Sequence, residues 1–166
     1  MIIRLALTED IPKIMHLVAK VVPLMRNAGN LQWGDDYPNP EVFAKDIALN
    51  QLWVSDIDGS IAGVTAITTD QDPEYADAGW DITEKAIVTH RLAVDPDFKG
   101  MGIAKALMAQ AEEVAKLRGI KILRVDTNSE NSATKALFPK LGYAFSGEIG
   151  LIKRPGLRFF CYQKLI

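Results

Sequence analysis

Three consecutive stretches near the middle of the chain restrict its topology most. EKAIVTHRLAV (84–94) is rich in β-branched and apolar residues and reads as a strand. Residues 102–118 carry a helical stripe of Ala104, Leu107, Met108, Ala111, Val114 and Ala115, with Gly119 placed to stop it. IKILRVDT (120–127) is again a strand. A strand–helix–strand crossover joins parallel strands. The preceding region obeys a different rule. In LWVSDIDGSIAGVTAI the pair Asp58-Gly59 separates two apolar runs, the signal of a tight antiparallel hairpin. Parallel and antiparallel pairs must therefore share one sheet.

The remaining elements fill out the order β-α-α-β-β-β-α-β-α-β-β. Residues 2–7 form a strand, and a helix follows Thr8 along Ile11, Ile14, Met15, Val18, Val22 and Met25. Pro23 is expected to kink or end that helix. Residues 41–50 form a short helix, 70–83 a polar loop, and 131–141 a helix stopped at Gly142, with Pro139 distorting its last turn. Two strands, 143–147 and 158–165, close the chain. The expected fold is α/β of the α+β kind, with a mixed, mostly antiparallel central sheet of six to seven strands and helices on both faces. Along 84–94, simple alternation puts Val88, His90, Leu92 and Val94 on one face and Ile87, Thr89, Arg91 and Ala93 on the other.

Size and charge narrow the function classes. The 166 residues suit a single domain, 1–166. With 19 basic and 21 acidic side chains there is no global basic field, so no nucleic-acid partner is expected. No run of about 18 apolar residues is present, so no membrane span is expected. Cys161 is the only cysteine, which rules out an internal disulfide and fits a cytoplasmic setting; it reads as a small buried hydrophobe. No Cys/His cluster has metal-ligand spacing, so no metal is expected.

The turn from strand to helix, VDPDFKGMGIAKAL (94–107), carries the strongest chemical signal. The first turn of a helix leaves N–H groups unpaired at its positive end, where phosphates bind. Gly100, Gly102 and Ala104 keep that turn free of bulk, and Lys99 and Lys105 add charge at its rim. The pattern is not GxxxxGK[ST], and the third glycine of GxGxxG is missing. From the glycines alone, a ligand-free tight turn remains the alternative.

Its context makes this segment resemble the acetyl-CoA signature of the GNAT superfamily of N-acetyltransferases. Lys99, Gly102 and Ala104 occupy the slots of that family's Gln/Arg-x-x-Gly-x-Gly/Ala pattern. NSATKALFPKLGY (131–143) is similar to the family's later helix, which Asn131 begins, Phe138 punctuates and Gly142-Tyr143 ends. The resemblance implies a splayed strand pair. Pantetheine would lie in the gap against Leu92, Ala93 and Val94, with Asn131 and Phe138 along the arm. The diphosphate would rest on Lys99, Gly100, Met101, Gly102, Ile103, Ala104 and Lys105, and the Val94 N–H would stabilise the thioester oxyanion. Many family members carry Tyr where Phe138 stands, as the acid for the departing thiolate; Phe138 has no proton to give, which leaves Tyr143 or water as candidates.

The implied reaction is direct acetyl transfer from acetyl-CoA to an amine, with CoA as product. An amine arrives as ammonium, so a base is needed. His90 is the first candidate, against a purely structural role; Glu84 acting through water is the second. Asp126 is placed either to pair a substrate ammonium or to cap the turn after it. Trp33, Tyr37, Tyr75 and Trp80, in predicted loops, either wall the acceptor site or lid the core. The acceptor is expected to be a small-molecule amine or amino acid, with a protein or peptide amine as the alternative, and the resemblance allows a homodimer. The competing reading is a catalytically inactive CoA-binding regulatory or sensor module, motivated by Phe138.

Overall fold

The computed structural model describes residues 1–166. Strands β1 (Ile2–Leu5), β2 (Leu52–Ile57), β3 (Ser60–Thr68), β4 (Ile87–Val94), β5 (Ile122–Asn128), β6 (Ala144–Leu151) and β7 (Arg154–Leu165) form one sheet in the order β1-β2-β3-β4-β5-β7-β6. β4 and β5 are parallel, and the other neighbours are antiparallel. The mixed, mostly antiparallel sheet is thus as expected, and Asp58-Gly59 does turn the β2–β3 hairpin.

Helices cover both faces. On one, α1 (Ile11–Asn27) and α2 (Pro40–Ala48) bury Ile14, Leu17, Val18, Val22 and Phe43 against Leu52, Val54, Val64, Ala66 and Ala93. On the other, α3 (Ile103–Arg118) and α4 (Ser132–Lys140) bury Met108, Ala111, Val114, Ala115 and Phe138 against Ile67, Ile87, Leu123 and Val125. A short 3₁₀ turn, Pro73–Ala78, lies within the expected 70–83 loop.

Three expectations need correction. First, α1 runs through Pro23 to Asn27. Pro23 is exposed, so its ring and missing donor sit on the solvent side while Val18 and Val22 keep the helix on the sheet. Second, residues 148–157 are not a connection. β6 extends to Leu151 and β7 begins at Arg154, so they make a long hairpin.

The third correction concerns β4. Val64 pairs with Ala93 and Ala66 with His90, so Thr65 alone opposes Arg91 and Leu92. This is a β-bulge, and Arg91 carries φ of 55° to make it. Beyond it the alternation changes phase. Leu92 and Val94 join Ile87 on the α3 face, while Ala93 packs toward α1. His90 therefore does not share a face with Leu92 and Val94. A strand that twists this strongly is also less able to stay paired on its far side.

Gly63 of β3 sets how closely α3 approaches. A Cβ there would lie 2.5 Å from Ile103 Cγ2 and 3.0 Å from Leu107 Cδ1, so the first turn of α3 rests on bare backbone. Gly63→Ala is expected to lower the unfolding free energy by about 1–3 kcal/mol, read from urea denaturation. Wild-type stability in that variant would show that α3 is not seated by this contact.

Candidate active site

The parallel pairing of β4 with β5 is confined to Ile87–Thr89 opposite Leu123–Val125. Past that point β4 follows β3 as far as Val94, and β5 follows β7 as far as Asn128. The sheet opens into a cleft whose walls include Thr89, His90, Arg91 and Leu92 on one side and Val125, Asp126, Thr127 and Asn131 on the other. The Asp95 N–H donates to Ala62 O at 2.9 Å. Strand alternation then turns the Val94 N–H away from β3, toward the opening.

The glycine turn follows the end of β4 at Val94 and leads into α3. Gly100 and Gly102 have φ of 82° and 74°, and a Cβ at either would meet nothing within 4 Å. Glycine is thus required here by backbone conformation, not by crowding. The first main-chain bond into α3 runs from the Ala106 N–H to Gly102 O at 3.0 Å. The amides of Gly102, Ile103, Ala104 and Lys105 precede it and have no intrahelical acceptor. The Ile103 side chain is buried, whereas Lys99, Met101 and Lys105 are exposed at the rim. A row of unpaired N–H groups on an open, positive helix end fits a diphosphate.

In the cleft wall His90 and Asp126 occupy neighbouring positions, each one residue beyond the last paired residues, Thr89 and Val125. The Tyr75 hydroxyl donates to Asp126 Oδ2. His90 Nε2 lies 3.1 Å from Asp70 O. A carbonyl can only accept, so Nε2 carries the proton and the neutral ring keeps its lone pair on Nδ1. Burial pulls the His90 pKa below its usual range, and the Asp126 charge opposes that pull. Burial pushes Asp126 up, while His90 and the Tyr75 hydroxyl restrain it. Arg91, on the bulge, is clamped to α2: Nε to Asp46 Oδ2 at 2.7 Å, Nη2 to Asp46 Oδ1 at 2.8 Å, and Nη1 to the Tyr37 hydroxyl at 3.2 Å.

The family model described as the acetyltransferase (GNAT) family matches residues 22–143, most of the chain and most of the cleft lining, though not Leu151, Lys153 and Arg154. The chain belongs to the GNAT acetyltransferases. Among solved structures, a GNAT-family acetyltransferase from Streptococcus agalactiae superposes with a TM-score of 0.80 at 28% identity, over 99% of this chain and 95% of that one. The Bacillus subtilis protein named N-acetyltransferase YesJ is 24% identical across 86% of this chain and 81% of its own length. N-acetylaspartate synthetase of Danio rerio is 28% identical over 64% of this chain. That match covers 34% of the synthetase, so the chain corresponds to about a third of that relative.

Within this GNAT cleft the residues singled out in the sequence separate into groups. His90, Leu92, Asp126, Asn131, Phe138, Trp33 and Tyr37 line it. Asn131 caps α4 by accepting from the Thr134 N–H at 3.2 Å. Ala93 packs into the α1-side core. Tyr75 is fully buried and reaches the site only through Asp126. Trp80 is not a cleft residue: it is 7% exposed, packs edge-on against Tyr75, and lies under the Arg124 guanidinium at 5.0 Å. Tyr143 also stands outside the cleft lining, packed against Phe138, with its hydroxyl buried and unpartnered and its pKa raised by burial. Glu84 is exposed, on the loop before β4. Sequence reasoning did not single out Arg91, Lys153 or Arg154, all of which line the cleft. Arg91 required the bulge to be visible, and the other two lie in the unassigned 148–157 segment.

The Arg91–Asp46 pair is nearly dry, with side-chain exposures of 17% and 3%. Arg91→Ala would strand the Asp46 carboxylate in the core and release the bulge. The expected loss is about 3–5 kcal/mol of stability, measured by chemical denaturation. A loss well under 1 kcal/mol would show that the clamp does not hold the cleft wall.

Proposed function

We propose that this chain is an acetyl-CoA-dependent N-acetyltransferase that acetylates a small amine or amino acid by direct attack in a ternary complex. The observation that carries this reading is that one strand, β4, leads from a basic side chain, His90, in the wall where β4 and β5 part, to the unpaired amides of the Gly100–Lys105 turn beyond its end at Val94.

Bound acetyl-CoA would supply the acetyl group as a thioester. The amides of Gly102 to Lys105 hold its diphosphate, and Lys99 and Lys105 add charge beside them. The Val94 N–H faces the position where the thioester oxygen would gain charge. His90 Nδ1 takes a proton from the acceptor ammonium, and Asp126, held by Tyr75, stabilises the resulting imidazolium. The freed amine nitrogen would bond to the acetyl carbon as the carbon–sulfur bond breaks; CoA would leave as thiolate, and the surplus proton on the new amide nitrogen would pass to that thiolate, giving the amide and the CoA thiol. Phe138 supplies no proton to the thiolate; a thiol pKa near 8.5 makes that thiolate a tolerable leaving group.

The reading is tested by following free thiol from acetyl-CoA with a panel of amines. Turnover with at least one amine is expected, and acetyl-CoA binding without turnover on any would sink it. A second measurement isolates the base. Because His90 is held below the ordinary imidazole value, it is neutral at pH 7, and kcat/KM is expected to fall as acidification protonates it. His90→Gln should remove that acid limb and lower kcat/KM by roughly 10²–10⁴-fold. An unchanged pH profile in the variant would exclude His90 as the base.

A further inference from the structure

One cation in the cleft has no carboxylate. Arg91 is matched by Asp46 and Lys153 by Asp72, but Arg154, which also lines the cleft, enters no ion pair. It is half-buried and rigidly presented. Its Cζ lies 4.5 Å from the centre of the Tyr37 ring, and Nη1 donates to Lys153 O at 2.9 Å. The Tyr37 hydroxyl in turn accepts from Arg91. A guanidinium stacked on a ring keeps its in-plane N–H donors free for a planar anion.

The segment that carries Arg154 is itself tied down. At the tip of the β6–β7 hairpin, Lys153 Nζ lies 3.0 Å from both carboxylate oxygens of Asp72, and the Ile152 N–H donates to Glu74 Oε1 at 3.0 Å. Little further ordering is needed when a ligand meets Arg154. The cleft thus offers a proton-accepting pair, His90 and Asp126, and a fixed, unneutralised guanidinium. A molecule that satisfies both bears an ammonium and a carboxylate.

We infer that the acceptor is a small amino acid, its amine directed to His90 and its carboxylate held by Arg154 on the Tyr37 ring. This rests on the acetyltransferase reading and narrows it from amines in general. The alternative docking of a peptide amine gives Arg154 no dedicated partner, since an internal or N-terminal peptide residue has an amide where the amino acid has its carboxylate.

The test compares matched acceptors. The full chain is given acetyl-CoA and a panel of free amino acids, their carboxamides, the corresponding amines without a carboxylate, and short peptides, and thiol release is followed. The best amino acid is expected to exceed its carboxamide in kcat/KM by about tenfold or more, mainly through KM. Arg154→Ala should erase most of that ratio and Arg154→Lys should retain part of it, with the acetyl-CoA Kd of both variants at the wild-type value as the control for folding. Equal use of acid and carboxamide by the wild type, a ratio that survives Arg154→Ala, or turnover confined to peptides or carboxylate-free amines would overturn the assignment. Acetyl-CoA binding with no turnover on any member, or failure of the wild type to bind acetyl-CoA, would instead overturn the acetyltransferase reading beneath it.

Discussion

The site depends on the parting of β4 from β5 after Thr89 and Val125. Two adjacent strands can separate only if each finds hydrogen bonds elsewhere, because unpaired buried peptide groups are costly. Here β3 retains β4 and β7 retains β5 beyond the split. The bulge at Arg91 and Leu92 adds local twist on the β3 side, and the Arg91–Asp46 pair secures it against α2. A left-handed backbone at a residue with a full side chain carries strain, and it persists because the surrounding contacts determine it. Main-chain groups left over at the opening are then available to a ligand.

The electrostatics of the cleft follow from its depth. His90 and Asp126 are drawn toward neutrality by burial and toward ionisation by each other, so they titrate as a pair. Tyr75 decides the geometry of that pair from behind the wall, through its hydroxyl on Asp126. Its own pKa is pushed well up by burial and by the Asp126 charge, so it remains a hydrogen-bond donor throughout the working pH range. The aromatic residues of the two loops thus serve different ends. Tyr37 and Trp33 face the cleft, Tyr75 orients an acid, and Trp80 fills the core beneath Arg124.

Much of this was legible from local pattern. The Asp58-Gly59 turn, the α3 stripe and Gly119, and the glycine turn are all set by chemistry within a few residues, and each appears where the pattern put it. Pro23 misled because a proline on the solvent side of a helix costs less than the burial its neighbours contribute. The full length of the β6–β7 hairpin was missed because LIKRPG (151–156) reads as a charged loop, and its order comes from contacts distant in sequence: Leu151 buried in one cluster with Tyr75, and ties to Asp72 and Glu74.

By itself the amino-acid sequence determined the order of elements, the mixed sheet and the anion-ready turn, since each arises from periodicity, turn residues or the unpaired amides of a helix start. Tertiary structure alone decided that Leu92 and Val94 leave the face of His90, that Tyr75 holds Asp126 in the wall beside it, and that Arg154 comes to rest on Tyr37. The physical reason is that a bulge shifts side-chain phase through a pairing with β3, and contacts between residues separated by 51 and by more than a hundred positions are set by how the sheet packs, not by neighbours in the chain.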